Sequence, residues 1–407
     1  MFKIDFIKIF VVIGAISFSN FSLLKAQTQS ELDPRVVRIV SETIGIDTHN
    51  HIDVPLDSAQ LPGPKVDLAG ELNKSGLSAV CMTFAVDYQR LSHEGQAYDR
   101  FLNGLIAMDA MLKDNNMLRA LNAQDIINAH NAHQPIVIQS VEGGHFLEGK
   151  IERLQVAYDR GLRHLGLLHD NDASVPLGDI YTNEPKWGGL TKFGTEVIKE
   201  CERLGILVDL AHCDNKTIDM ALKVATKPII ITHTGLDTQL GSNEFMAKMM
   251  KPRLISKEEA RKVAKAGGVI GVWAHLSDTP LEYAKNIRAM VDVVGVDHVC
   301  IGTDTKLTTP YRPPFNPNDQ WNKPPKDGGS DGKGHNDHKD GLRPDFAKGP
   351  QGERIGERTN LVWKGQKVGF YYAVVDALLK TGFNEEEIAK ICGGNFLRVF
   401  DAATKGH

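Results

Sequence analysis

The stretch GLTKFGTEVIKECERLGILVDLAH, residues 189–212, contains the unit that decides the fold. Its first part predicts an amphipathic helix over 191–204, because apolar residues recur there at helical spacing. These residues are Phe193, Val197, Ile198 and Cys201. The apolar run ILVDL at 206–210 predicts a short strand, which ends just before His212. Helices that alternate with such strands are typical of a parallel sheet.

Seven further β-rich runs are spaced along the chain, with helical stretches between them. They are 43–47 (TIGID), 77–84 (LSAVCMTF), 135–141 (PIVIQSV), 162–168 (LRHLGLL), 228–232 (PIIIT), 268–273 (GVIGVW) and 298–302 (HVCIG). With 206–210 they make eight alternating units, the number that a (β/α)8 TIM barrel requires. We therefore predict an α/β fold in which residues 27–407 form a single barrel domain, a length that such barrels reach.

The N-terminal segment differs from the rest of the chain. Lys3 and Lys8 precede an apolar run over 9–24, and Ala26 offers a small residue for cleavage, so residues 1–26 are predicted to be a signal peptide. The alternative is an uncleaved N-terminal anchor, for which the run is short. We expect export to the periplasm or the extracellular space. The polar tail DAATKGH predicts no lipid anchor.

The charge balance bears on the partners. The chain has 47 basic and 51 acidic residues and a net charge of −4. It therefore lacks the excess of basic residues that binding to nucleic acid requires. We therefore expect a small-molecule substrate and no nucleic acid. A homodimer is compatible with the sequence.

Six of the eight predicted strands deliver a metal-ligating or acid–base side chain at their carboxyl ends, where barrels build their active sites. These residues are His49 and His51, Glu142, His169, His212, His233 and Asp304. Imidazole and carboxylate ligands without thiolate are typical of hydrolytic zinc. The sequence therefore predicts a metal site at this face of the barrel.

Two zinc ions are the cofactors that this set of side chains predicts. His49 and His51 share one face of an extended backbone and can grip one ion. His212 and His233 can hold the second ion, with Glu142 bridging the pair. Two such ions lower the pKa of a shared water and polarise a carbonyl. Asp304 is expected to serve as a ligand and to transfer a proton from that water to the leaving amine.

Six stretches resemble the membrane (renal-type) dipeptidase family of zinc peptidases, within the amidohydrolase-like barrels. They are VEGGH (141–145), the opening stretch (189–212), ITHTG (231–235), KPRLISKEEARKVAKAGGVIGV (251–272), IGTD (301–304) and EEEIAKICGGNFLRVF (385–400). The resemblance implies a zinc dipeptidase with Glu142 as the bridging ligand. It also implies that His169 stabilises the tetrahedral oxyanion and that Arg253 pairs with the free C-terminal carboxylate of the substrate.

The first strand departs from the family's His-x-Asp pattern, because this chain reads His49-Asn50-His51-Ile52-Asp53. One alignment makes His51 the second ligand of that strand, and the other makes Asp53 a ligand beside His51. We favour His49 and His51, because DTH directly follows the apolar strand. An imidazole in place of a carboxylate makes the site more positive by one unit.

A segment over about 305–363 is rich in Pro, Gly and charged residues and has no hydrophobic period. Loops of this length are usually functional or disordered, so it is expected to form a lid or a specificity wall, or else to be disordered.

The main hypothesis for the function is a zinc-dependent dipeptidase. Two alternatives stay open: an N-acyl amino acid amidase or lactonase on the same binuclear site, and a catalytically inactive binding protein.

Overall fold

The computed structural model describes residues 32–88, 90–311 and 357–407. The predicted signal peptide over 1–26 lies outside the described residues, as does most of the segment over 305–363. In the described part of the chain, no helix is both long and apolar enough to span a bilayer.

A curled sheet of nine parallel strands forms the centre of the molecule, with the strand order β8-β7-β6-β5-β4-β3-β2-β1-β9. The strands are β1 Ile46–His51, β2 Ala79–Ala85, β3 Ile136–Glu142, β4 Leu162–Gly166, β5 Leu207–Asp209, β6 Ile230–Thr234, β7 Val269–Val272, β8 Val299–Ile301 and β9 Thr305–Lys306. Each of the first eight coincides with or overlaps a predicted strand. The (β/α)8 barrel is therefore confirmed.

Helices connect and surround the strands. They are α1 Pro34–Glu42, α2 Leu68–Ser75, α3 Gln96–Asp114, α4 Ala123–Asn131, α5 Arg153–Asp159, α6 Lys192–Leu204, α7 Asn215–Val224, α8 Glu244–Met250, α9 Lys257–Lys265, α10 Pro280–Val294, α11 Phe370–Lys380, α12 Glu385–Ala389 and α13 Asn395–Thr404. The helix predicted over 191–204 is α6. Thr191 caps it by accepting a hydrogen bond from the Gly194 N–H, and Gly205 ends it in the left-handed conformation.

The core has two parts. One packs the helices against the outer face of the sheet. The other joins the amino-terminal halves of the strands, such as Ile46 and Ile138, to Phe396 and Phe400 of α13. Apolar packing therefore fills the end of the barrel where the strands begin, which leaves the carboxyl end free for polar side chains.

The first strand is longer than predicted. The sequence predicts that the strand ends at residue 47, but β1 extends to His51, because Asn50 and His51 pair with both β2 and β9. His49 and His51 thus belong to the strand itself. Glu142 is the last residue of β3, and His233 likewise lies within β6.

Side chains of β1 help to close the barrel between its first and last strands. The Thr48 hydroxyl lies 2.9 Å from the Thr232 carbonyl oxygen and 2.8 Å from the Ile301 carbonyl oxygen. Asp47 accepts hydrogen bonds from the backbone N–H and the hydroxyl of Thr303. These contacts join β1 to β6 and to the end of β8.

Replacement of the Thr48 hydroxyl tests this closure. We expect Thr48→Val to lower the free energy of unfolding by about 1–3 kcal/mol, because two buried carbonyl groups lose a donor. Thr48→Ser keeps the hydroxyl and is the matched control. Urea unfolding at one fixed metal concentration measures both variants, and a Val variant as stable as the Ser variant would contradict the prediction.

Candidate metal centre

Glu142 lies at the centre of the carboxyl face, and histidines surround it. Its Oε1 atom lies 2.9 Å from Nε2 of His212, 3.4 Å from Nε2 of His49 and 3.7 Å from Nε2 of His233. Oε2 lies 3.3 Å from Nε2 of His169. Among the described residues, neither buried oxygen accepts a hydrogen bond of good geometry. A buried carboxylate in this state is well suited to bind cations through both oxygens.

His49 and His51 present their side chains on the same face of β1. Their Nε2 atoms are 3.3 Å apart, and Nε2 of His51 lies 3.0 Å from Oδ1 of Asp304. The Tyr88 hydroxyl lies 2.5 Å from Nδ1 of His51, so it orients the ring from the other side. The three ligand atoms of His49, His51 and Asp304 lie within 4.8 Å of one another.

His212 and His233 form the opposite part of the cluster, with their Nε2 atoms 3.1 Å apart. Nδ1 of His233 lies 3.0 Å from the hydroxyl of Thr232, which in turn donates to Asp209 at 2.6 Å. This chain of hydrogen bonds favours a proton on Nδ1 of His233 and leaves Nε2 free to bind a metal ion.

The outer nitrogen of His212 has two neighbours, the carboxylate of Asp170 at 3.2 Å and the hydroxyl of Tyr181 at 3.1 Å. Burial alone lowers the pKa of His212, but Glu142 and Asp170 raise it to about 10. The surrounding carboxylates therefore stabilise a positive charge here, which is what a bound cation supplies.

His169 lies within the same group of side chains. Its Nδ1 atom is 2.7 Å from Oδ1 of Asp87, a buried carboxylate that follows β2. Although burial opposes ionisation of both groups, their mutual attraction lowers the pKa of Asp87 to about 2. Glu142 and Asp87 likewise raise the pKa of His169. The carboxylates on either side of His169, Asp87 at Nδ1 and Glu142 at 3.3 Å from Nε2, thus favour its protonated form.

Asp304 follows β8 with a backbone φ of +55°, and the Nε2 atom of His275 lies 2.9 Å from its second oxygen. Burial alone raises the pKa of Asp304, but His233 and its other imidazole neighbours hold it well below its usual range. Asp304 is therefore an ionised carboxylate that can act as a ligand or accept a proton.

The structure brings together all six predicted ligands, but Asp53 has a different partner. The ligands are His49, His51, Glu142, His212, His233 and Asp304. Asp53 forms an ion pair with Lys306 at 2.5 Å. The donor set of imidazoles and carboxylates fits divalent ions such as zinc. The assignment of each ligand to an ion stays a prediction.

Arg253 lies beside this cluster. Its Nη2 atom is 3.4 Å from Asp170, and its guanidinium lies 5.9 Å from the centre of the Tyr181 ring. Asp170 therefore contacts both Arg253 and His212, so the predicted carboxylate-binding residue lies next to the metal cluster.

Sequence reasoning missed Asp87, Asp170 and His275. Asp87 and His275 follow the two strands, β2 and β7, for which no site residue is predicted. The signal that could have found them is the one used for the other strands, a polar residue two to three positions beyond a buried strand. With them, all eight strands of the barrel contribute to the site.

A parallel barrel with imidazoles and carboxylates gathered around a buried glutamate at the carboxyl ends of its strands is typical of a metal-dependent hydrolase. The chain belongs to the membrane dipeptidase family, peptidase family M19, whose model matches residues 34–310. The resemblance noted in the sequence is thus confirmed, and the protein is an enzyme of the metallopeptidase type.

A curated relative from Klebsiella pneumoniae, described as an uncharacterized protein in the pqqA 5' region, is 26% identical over 198 residues. This match covers 45% of the present chain and 70% of the relative.

Solved structures share the fold. An amidohydrolase from Pseudomonas aeruginosa has a TM-score of 0.65 at 22% identity, with 90% of this chain and 98% of that chain covered. The probable dipeptidase PvdM from the same organism has a TM-score of 0.66 at 17% identity, with 92% of this chain and 100% of that chain covered. A metallo peptidase from Rhodobacter sphaeroides, liganded with a phosphinate mimic of the dipeptide L-Ala-D-Ala, has a TM-score of 0.61 at 16% identity. The match covers 89% of this chain and 99% of that chain.

Removal of the central charge tests the metal centre. Loss of a residue that only supports a metal ligand weakens metal binding by roughly 10–100-fold. We expect Glu142→Gln to weaken it at least as much, because histidines of β1, of β6 and just after β5 all contact this carboxylate. Elemental analysis after dialysis measures the bound metal. The exposed Glu152→Gln is the control, and equal metal content in the two variants would contradict the role of Glu142.

Proposed function

We propose that the protein is a zinc-dependent dipeptidase that uses two zinc ions to hydrolyse the peptide bond of dipeptides. The observation that carries this proposal is the Glu142 carboxylate, which is buried among five imidazoles, with no hydrogen bond of good geometry from the described residues. Family membership supports peptide-bond hydrolysis, and the imidazole-rich ligand set supports zinc.

His49, His51 and Asp304 would hold one ion, His212 and His233 the other, and Glu142 both. When bound, the ions would supply an activated water and polarise the scissile carbonyl. Asp304 accepts the proton of the attacking water and returns it to the nitrogen of the leaving amine. Its depressed pKa keeps this carboxylate ionised before the substrate binds.

His169 is proposed to stabilise the negative charge that develops on the carbonyl oxygen. Nδ1 donates its hydrogen to Asp87 at 2.7 Å, and in the protonated imidazole, which the carboxylates of Glu142 and Asp87 favour by raising its pKa, Nε2 carries a second hydrogen that faces the site. A donor held in this way is oriented before the substrate arrives, which favours the transition state over the ground state.

Arg253 is proposed to bind the C-terminal carboxylate of the substrate. A guanidinium can donate two parallel hydrogen bonds to a carboxylate, which fixes the position of the peptide bond over the site. Its present neighbour, Asp170, lies at a long 3.4 Å, so a substrate carboxylate can compete for the same donors.

The range of substrates is left to experiment. The Rhodobacter sphaeroides relative was solved with a mimic of L-Ala-D-Ala, so dipeptides with a D-residue at the C-terminal position belong in the test panel. The predicted signal peptide supports export to the periplasm or the extracellular space. Two further proposals are that the protein forms a homodimer and that the segment over 305–363 forms a lid or a specificity wall.

A substrate panel separates the proposed function from its alternatives. We expect the zinc-loaded protein to cleave dipeptides faster than N-acyl amino acids or lactones, because the matching family is one of dipeptidases and N-acyl amino acids lack the free amino group of a dipeptide. Initial rates with each substrate measure this. Faster cleavage of an acyl amino acid or lactone favours the alternative hydrolase, and cleavage of none favours a binding protein.

Carboxylate recognition has a separate test. We expect Arg253→Ala to raise the KM of dipeptides at least about tenfold, since a charge-assisted hydrogen bond contributes about 1.5–3 kcal/mol. Dipeptide amides, which have no terminal carboxylate, should change little. The control is Arg261→Ala, an exposed arginine of α9. An equal loss on both kinds of substrate would contradict the assignment.

A further inference from the structure

His275 lies just beyond the carboxyl end of β7, and its imidazole faces Asp304 at the end of β8. Nε2 of His275 is 2.9 Å from Oδ2 of Asp304, whereas Oδ1 of Asp304 is 3.0 Å from Nε2 of His51. The two oxygens of this carboxylate therefore have separate neighbours. One faces the candidate metal ligands, and the other faces His275.

The backbone fixes this pairing. The Ala274 N–H donates to the Thr303 carbonyl at 3.1 Å, so the residues that follow, His275 and Asp304, emerge side by side. Leu276 and Asp304 have φ values of +60° and +55°. Such left-handed conformations cost free energy in non-glycine residues and persist where the surroundings fix them. Both loops thus turn sharply at the pair.

The pair lies nearer to solvent than the rest of the cluster. The side chains of His275 and Asp304 are 27% and 21% exposed, whereas those of His49 and Glu142 are 1% and 3% exposed. Asp304 is therefore the candidate ligand that combines contact with the buried cluster and access from outside. A proton carrier needs both properties, and it also needs a fixed orientation.

We propose that His275 is a positioning residue for Asp304. Its Nε2–H donates to Oδ2 and thereby holds Oδ1 toward the candidate ligands and the attacking water. This inference rests on the proposed function, because it assigns His275 to the proton transfer described for Asp304.

The proton balance leaves His275 unchanged. As the C–O bond forms, the water gives its proton to Asp304. As the C–N bond breaks, Asp304 gives that proton to the leaving nitrogen. His275 keeps its hydrogen bond throughout and gains no net proton, so its contribution is the geometry of the carboxylate.

Two substitutions at residue 275 separate donation from bulk. His275→Gln keeps an N–H donor at a similar reach, and His275→Leu keeps a side chain of moderate size without a donor. We expect the Leu variant to lose about 10–100-fold in kcat, as outer-shell changes do, with little change in KM. The Gln variant should retain most of the activity. The exposed His93→Leu is the control.

Metal content and a spectrum complete the experiment. We expect the Leu variant to bind as much metal as the wild type. In the cobalt-loaded protein, its visible absorption should shift, because a freed Asp304 changes the ligand geometry, whereas the Gln variant should match the wild type. If the Leu variant does not fold, His275→Ala assayed with added imidazole replaces it, and recovery of kcat supports the proposal.

Three results would overturn the inference: wild-type kcat with an unchanged spectrum in the Leu variant, metal loss in proportion to activity, or no recovery of His275→Ala with imidazole. The second result would make His275 a ligand. If the wild type cleaves no dipeptide, the proposed function fails, and the cobalt spectra still test the positioning of Asp304.

Discussion

Burial of the Glu142 carboxylate is the constraint on which the arrangement of this barrel end depends. An ionised carboxylate away from water is costly unless opposite charges or donors compensate it. Here the compensation comes from five imidazoles on four different strands or strand ends, at 2.9–3.8 Å from its oxygens. Because burial would otherwise raise the pKa of Glu142, the neighbouring histidines are also what hold it well below its usual range. The imidazoles and the carboxylate thus require one another, and a bound cation satisfies both.

A polar layer lies beneath the cluster and holds it in place. Asp47 and Asp209 are fully buried carboxylates, and each accepts hydrogen bonds from the hydroxyl and the backbone N–H of a threonine, Thr303 and Thr232 respectively. Burial raises the pKa of Asp47 to about 6, so a charge there is tolerated only because these donors are fixed. Asp209 joins β5 to the neighbouring strand β6, and Asp47 joins β1 to the end of β8, where the barrel closes. The contacts beneath the histidines therefore also help to close the barrel. At the other end of the barrel, where the strands begin, α13 packs against them through apolar side chains. The polar layer therefore lies at the carboxyl end of the strands.

The sequence could predict the eight strands, because each contains an apolar run, and it could predict that six candidate ligands meet at one face, because they lie at or just beyond the ends of five of these runs. It could not predict the length of β1. Residues 48–51 are polar and follow the apolar run, and their place in the sheet depends on pairing with β2 and with β9, which lies more than 250 residues later. Asp87 and His275 were missed for a related reason. The sequence shows that each lies just beyond a buried strand, but each acts through a partner on another loop, His169 and Asp304, and that pairing is a tertiary contact.

The rim of the site is built from His–Asp pairs, each of which joins two different loops. Asp87 and His169 join the loops after β2 and β4, Asp170 and His212 those after β4 and β5, and His275 and Asp304 those after β7 and β8. Two of these residues, His212 and Asp304, have left-handed backbones with φ values of +67° and +55°. Strain of this kind persists only where surrounding contacts outweigh it, and the paired carboxylates and imidazoles provide such contacts. Because each pair crosses between loops, the loops cannot move independently without breaking a contact between an imidazole and a carboxylate. The rigidity that a metal-dependent hydrolase needs at its strand ends therefore comes from electrostatic pairing between loops, while the apolar core fixes the strands below.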